Sequence, residues 1–273
     1  MVHHDDDHLD VLKELPFLQS LSSLINSWPH MINAHLPDVR DEISSIETTT
    51  KDAQKLFDNG MGLLFNEVHT ISPFLNDWLE SMKVELGLSM MTYGRCLVYA
   101  TPDGKGTAPH FDQNINFVCQ IHGTKTWKMA KNEFVENPLT RHTMGQMPDP
   151  ELMSYLHEPM PDVMPSTAKS YELKPGSVLF VPRGYWHSTE ASGDALALNF
   201  TFTAPTWLDL FTAALRGRLA QSPEWRATAD GVSSSERRGE AEAQFNQLLQ
   251  DLVKDLPHWN AGDILEATDP FTT

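Results

Sequence analysis

Cysteine is nearly missing from this chain: two residues, Cys96 and Cys119, in 273. Each sits in an apolar, β-prone stretch, so no disulfide framework or thiolate zinc cluster is available, and buried free thiols in a reducing compartment are expected. Long apolar runs are also missing. Nothing approaches the ~18 consecutive apolar residues of a membrane-spanning helix, and the N-terminus is acidic where a secretory leader would be basic. These absences point to a cytoplasmic protein without a membrane partner. Positive charge is in deficit, with 20 Lys and Arg against 37 Asp and Glu and a formal charge of −17. That argues against a surface tracking phosphates, and so against nucleic-acid binding. A basic partner is permitted, although a solvated acidic surface is the simpler account.

What is present is enough chain for a substantial core, either one large domain with extensions or one domain plus a helical appendage, and one dense stretch of chemistry. Residues 104–125 read GKGTAPHFDQNINFVCQIHGTK, and their counterpart is PGSVLFVPRGYWH, ending at His187. A bare His-x-Asp pattern says little, because it also begins at His3, His4 and His8 in a polar tail. His110-Phe111-Asp112 differs in context. It follows the turn-forming TPDGKGTAP and precedes NFVCQI, a β-prone run bounded by Gly123, and a site on a sheet can hold geometry. Two imidazoles and one carboxylate on one face of an octahedral ion leave positions open, the arrangement of non-haem Fe(II) oxygenases. His187 is the candidate for the third ligand, delivered just past the strand-ending turn at Pro182-Arg183-Gly184. The spacings Gly104-x5-His110 and Gly176-x5-Pro182-x-Gly184-x2-His187 correspond to the two half-motifs of a cupin barrel, with Asp112 where many cupins carry a second His.

With these segments, and with LALNFTFTAP downstream, the chain resembles the JmjC-type 2-oxoglutarate oxygenases. Within them it is similar to bacterial hydroxylases related to the ribosomal oxygenases and to an asparaginyl hydroxylase. The resemblance covers roughly residues 60 to 215. It implies a mainly β fold with α, a double-stranded β-helix (cupin, jelly-roll) core with N-terminal helices and a C-terminal helical extension. It makes His110, Asp112 and His187 ligands of Fe(II), and makes Lys125 the cation that grips the far carboxylate of 2-oxoglutarate. Thr107, Asn116 and Asn199 become polar neighbours of that cosubstrate. With O2, the implied reaction is hydroxylation of a C–H bond on a protein or peptide side chain, with lysyl demethylation or a small-molecule substrate as alternatives.

The residues support Lys125 separately. If Gly123-Thr124 forms a two-residue hairpin turn, His122 opposes Lys125 and Gln120 opposes Trp127. Lys125 then shares the face of Asn116, Val118 and Gln120, the cavity side of a barrel. Two rival classes stand beside the oxygenase. A metal cupin of another chemistry, such as a cysteine-type dioxygenase or a sugar isomerase, needs no cation to hold a dicarboxylate. A non-catalytic binding module needs no intact ligand set.

Along the chain, residues 1–10 read as a disordered acidic and His-bearing tail, and 11–60 as an N-terminal helical cover. The barrel spans 61–204. Residues 61–71 read as a strand, followed by a helix with Ser72 as N-cap, Pro73 at its first position and an end at Gly87; MMTYGRCLVYA is the next strand. Residues 131–170 show no sustained period and read either as a lid whose Met residues offer an adaptable surface or as a peripheral excursion with a short helix near 150–157. After His187, Asn199 shares a face with Ala195, Ala197 and Thr201, which composition alone assigns to solvent and the resemblance assigns to a cavity. Arg183 and Trp186 read as turn packing. Residues 205–273 read as helices, the first capped at Thr206 with Asp209 and another starting near Ser233. Helices in this position imply a homodimer by resemblance, with packing on the barrel as the alternative. Ribosomal oxygenases continue into a winged-helix domain that this chain does not reach, which weakens the expectation of a ribosomal-protein substrate.

Overall fold

In a computed structural model of the chain, residues 2–3, 9–36 and 45–268 are described. The strands are β1 (Val2–His3), β2 (Ile32–His35), β3 (Ser45–Thr48), β4 (Gly62–Phe65), β5 (Tyr93–Thr101), β6 (Gly106–Phe111), β7 (Ile115–Ala130), β8 (His142–Thr143), β9 (Lys169–Leu173), β10 (Ser177–Val181) and β11 (Trp186–Thr203). The helices are α1 (Asp10–Glu14), α2 (Leu21–Ser27), α3 (Thr50–Asp58), α4 (Pro73–Glu85), α5 (Pro150–Tyr155), α6 (Trp207–Leu219), α7 (Pro223–Arg226), α8 (Arg238–Asp255) and α9 (Ala261–Thr268). The chain divides into two compact units, one of residues 1–88 and 93–203 and one of 89–92 and 204–273.

The first unit is an antiparallel sheet organised by its two longest strands. β7 pairs with β11 from Trp186↔Ala130 to Phe202↔Ile115. One half of β7 is flanked by β10, through Phe180↔Phe117, and the other half by β9, through Trp127↔Tyr171. β11 in turn is flanked by β6 near His187 and by β5 from Ala195 to Thr203. This is the expected mainly β core.

No hairpin forms at Gly123-Thr124. β7 runs through, and the register against β11 shifts between Ser192 and Leu196. Gly123 has φ of +66°, and a Cβ there would lie 2.1 Å from the Asp194 carbonyl oxygen. The irregularity changes which parity faces inward. Val118 before it and Trp127 and Met129 after it share one core cluster, whereas Cys119 and Ile121 point into another. Lys125 therefore does face the same side as Asn116 and Val118, through a bulge rather than a turn.

Other expectations change. The strand read over 61–71 is only β4, and Val68–Ile71 is a 3-10 turn. The cover read as helical over 11–60 also contains β2 and β3, which extend the sheet beside β4; residues 37–44 lie outside the described set. Leu12, Leu18 and Leu24 are fully buried in one cluster with Cys96, Val98 and Leu198, so the first helices share the core of the sheet. Within the tail read as disordered, Val2–His3 pairs with β10, and residues 1 and 4–8 lie outside the described set. α4 starts as expected, with the Ser72 hydroxyl accepting from Leu75 N–H and Pro73 at the first position.

Residues 131–170 carry a core of their own. Val135, Met144 and Leu152 are buried with Phe111 and Trp186, and Met160 and Met164 pack against them. β8 pairs with β6 opposite His110, and α5 forms in the region where a short helix was expected. Met147 and Met153 remain exposed.

The second unit holds α6 to α9. α6 has a complete capping box between Thr206 and Asp209. α8 begins at Arg238 rather than near Ser233, because residues around Gly231, with φ of +77°, form turns. Arg218 pairs with both oxygens of Asp255, at 2.9 and 2.7 Å.

Gly123→Ala is expected to destabilise the protein by more than about 2 kcal/mol, because a left-handed residue costs ~1–2 kcal/mol before the clash with Asp194 is counted. Gly87→Ala, also at positive φ but with open space around it, is expected to lose only that conformational cost. Urea midpoints of the two variants measure the difference.

Candidate metal centre and cavity

His110 lies on β6 and His187 on β11, directly opposite each other in the register, with ring centroids 4.1 Å apart. Asp112 follows the end of β6. Its backbone carbonyl accepts from Gly184 N–H at 2.8 Å, which ties the Asp112 turn to the turn that delivers His187. Gly184 needs its left-handed φ of +78°, and Pro138 occupies the space where a side chain would go.

The side chains converge. Asp112 Oδ2 is 3.9 Å from His110 Nε2 and 3.6 Å from His187 Nε2. Both Nδ1 atoms are engaged by backbone carbonyls, His110 with Ala108 at 2.7 Å and His187 with Tyr185 at 2.9 Å. In that tautomer Nδ1 carries the proton and Nε2 presents its lone pair to the shared space. Among the described residues these three form the group able to hold a metal ion, their donor atoms within 4.8 Å of one another. The donor set of two imidazoles and a carboxylate suits an Fe(II)-type ion. Trp127 stacks on His187 at 5.6 Å with an interplanar angle of 21°.

Burial and charge act against each other here. Burial pushes the Asp112 carboxyl up, but His110, His187 and Arg141 outweigh it and hold the group below its usual range. Arg141 Nε lies 3.2 Å from Asp112 Oδ1. Burial, reinforced by His110, pushes the His187 imidazole down to about 4, so it is neutral at pH 7 and able to coordinate.

The triad opens into a cavity of about 150 Å³, which Thr107, Asn116, Lys125 and Asn199 also line. All seven site residues expected from the sequence thus surround one space. Lys125 is 4% exposed and donates to Thr101 Oγ1 at 2.7 Å; among the described residues no carboxylate pairs with it. Burial alone pushes its amine down to about 8. Asn199 Oδ1 is buried with no hydrogen-bond partner among the described residues, whereas Asn116 Oδ1 accepts from Thr201 at 2.6 Å. Thr107 exchanges a hydrogen bond with Thr189 at 3.0 Å.

The sequence reading missed Arg95, Tyr99 and Arg141, which line the same cavity. Arg95 and Tyr99 were recoverable in principle, being on the Leu97 face of a strand with period two. Arg141 had no such signal, since it sits in the aperiodic stretch.

A barrel with a convergent two-His, one-carboxylate centre and a buried lysine across its cavity defines the class, a metal-dependent cupin. The JmjC domain model matches residues 74–210, half of the chain, and the chain belongs to the JmjC domain family. It is 36% identical over 207 residues to YxbC of Bacillus subtilis (strain 168), covering 75% of this chain and 62% of that protein. It is 29% identical over 174 residues to ribosomal oxygenase 1 of Danio rerio, covering 58% of this chain and 30% of that one. This chain therefore spans less than two thirds of either relative. A crystal structure of Escherichia coli ribosomal oxygenase YcfD superposes with a TM-score of 0.52 at 15% identity, over 93% of this chain and 68% of that chain, which shows a shared fold.

A lysine amine at about 8 against an ordinary 10.5 implies a cost of burying its charge on the order of 3 kcal/mol. The sign follows from proton binding. Between about 8 and 10.5 the unfolded chain holds a proton that the folded one has released, so this residue makes stability rise with pH across that window. Lys125→Met is expected to raise the urea midpoint of the ligand-free protein at pH 7 and to flatten the pH dependence between 8 and 10.5.

Proposed function

We propose that this protein is an Fe(II)- and 2-oxoglutarate-dependent dioxygenase that hydroxylates a C–H bond of a protein or peptide side chain, or of a small molecule. The observation that carries this reading is the pairing of the triad with Lys125, a buried cation that lacks a carboxylate partner among the described residues and looks into the triad's cavity. Folding tolerates such a cost where a ligand returns it. Metal cupins of other reaction classes need no such cation, and a binding module needs no intact triad. The relatives named as ribosomal oxygenases support the same chemistry.

Bound iron with 2-oxoglutarate and O2 supplies oxidative decarboxylation to succinate and CO2, coupled to hydroxylation of the substrate. The chain's part is to bind, orient and exclude water. His110, Asp112 and His187 would hold the metal, and the Ala108 and Tyr185 carbonyls keep each imidazole in the coordinating tautomer. Lys125 would hold the distal carboxylate of 2-oxoglutarate as a charge-assisted pair, with Thr101 keeping the ammonium aimed. Asn199, whose oxygen lacks a partner, together with Asn116 and Thr107, would bind the rest of the cosubstrate. Trp127, stacked on His187, would shield that ligand from water.

A homodimer through the C-terminal helices belongs to the same proposal. Trp207 is 78% exposed and Phe245 54%, apolar surface of a kind that marks contacts between chains. Sedimentation of the whole chain should give a dimer, and Trp207→Glu with Phe245→Glu should give a monomer. A monomeric wild type removes this part of the reading.

The central test is succinate release from 2-oxoglutarate. Release should require added Fe(II) and disappear in Asp112→Ala. Lys125→Ala should raise the KM for 2-oxoglutarate at least 30-fold, on the order of 2 kcal/mol for a lost charge-assisted bond. The wild-type KM should rise as the pH passes about 8, where Lys125 loses its proton. Absence of Fe(II)-dependent succinate release would return the protein to another class of metal cupin, and release that is indifferent to Lys125 would remove that residue from the cosubstrate site.

A further inference from the structure

Among the described residues, four charged side chains line the cavity: Arg95, Arg141, Lys125 and Asp112. Three are cations, in a chain whose formal charge is −17, so the cavity wall has the opposite sign to the molecule. Resting on the reading above, the charges of a divalent metal, Asp112, Lys125 and the 2-oxoglutarate dianion cancel among themselves. That leaves the Arg95 guanidinium facing the cavity with no cosubstrate charge to meet it, while Arg141 faces the same space from its ion pair with Asp112.

Arg95 is not placed to serve the cosubstrate held at Lys125. Arg95 sits six residues along β5 from Thr101, the residue to which Lys125 donates, and six residues of strand span about 20 Å. A five-carbon dianion gripped at Lys125 does not extend that far. On the neighbouring strand Arg95 pairs with Thr201, which lines the same cavity. Its Nε is buried and donates to no group among the described residues, although buried donors are almost always paired. The remainder of its guanidinium lies 5.9 Å from the ring centroid of Tyr93, whose hydroxyl donates to Glu67. Glu67 does not line the cavity. Arg141 meets Asp112, on the metal side of the same space.

We propose that the substrate carries a carboxylate, and that Arg95 is the specificity-determining residue that binds it, with Arg141 adding positive charge nearer the metal. A guanidinium fork suits a planar carboxylate. A Lys- or Arg-bearing substrate group would meet two like charges in a confined space. The negative surface repels long polyanions, but that field is screened within about 8 Å at physiological salt. The matching ligand therefore has one or two carboxylates and enters the cavity itself, either as a small molecule or as a single acidic side chain.

The test uses the whole chain loaded with Mn(II), which supports binding without turnover, and 2-oxoglutarate. Calorimetry follows three probes: the N-acetyl amides of glutamate, glutamine and lysine. The same three side chains are also placed at the centre of an otherwise uncharged heptapeptide. The expected result is glutamate at least tenfold tighter than glutamine, with lysine weakest. In Arg95→Gln the preference for glutamate should vanish, and in Arg95→Lys part of it should return. Tighter binding of the free amide points to a small-molecule substrate, and tighter binding of the heptapeptide to a peptide. Equal affinities, no binding by any probe, or a preference that survives Arg95→Gln overturns the proposal. Should Arg95→Gln not fold, the probe ranking and the lysine variant still decide. Binding of 2-oxoglutarate is measured first. Its absence sinks the oxygenase reading, and the probe ranking is then taken on the Mn(II)-loaded protein to judge the anion site separately.

Discussion

The pairing of β7 with β11 is the constraint on which the site depends. These two strands run together for nearly their whole lengths, and each places a functional group that the other needs. β11 carries His187 at one end and Asn199 toward the other, while β7 carries Asn116 and Lys125. The ladder must bend to bring both halves around one cavity, and it bends where Gly123 meets Asp194. A side chain at that glycine would collide with the Asp194 carbonyl, at the irregularity beyond which Lys125 faces inward. Packing on both sides then holds the bend: Val118, Trp127 and Met129 on the inner face, Cys119 and Ile121 on the outer. Burial pushes the thiol of Cys119 up to about 12, consistent with an inert packing residue.

The site draws on several parts of the chain that have little local connection. β6 supplies His110, the turn after it Asp112, β11 His187 and the aperiodic stretch Arg141. What links them is backbone: Gly184 donates to the Asp112 carbonyl, and Thr143 sits opposite His110. The 131–170 stretch thus backs the metal site through its own core of Val135, Met144 and Leu152. Stability and function compete most openly at Lys125, a charge buried at a cost to folding and placed where an anion would be bound.

Much of the site was legible because it lies where chain and strand period are informative. Turn residues bracket His110 and His187, and a strand between turns can be read from composition. The face of Lys125 was anticipated correctly for the wrong reason. A Gly-Thr pair between β-prone runs suggests a hairpin, but the partner that stabilises the continuous strand, β11, lies about seventy residues downstream and leaves no local trace. β2 and β3 were missed for the same reason, since strands of four residues depend on the neighbours they join.

The sequence by itself determined the class: two imidazoles and a carboxylate on turn-bounded strands, a lysine beyond them, and amphipathic helices at the C-terminal end, all set by local spacing and side-chain chemistry. Tertiary structure alone decided that β7 bends instead of turning back, that the first helices share the sheet's core, and that Arg95 and Arg141 enter the metal's cavity. Those outcomes rest on contacts between segments far apart in the chain, whose energies no window of sequence contains.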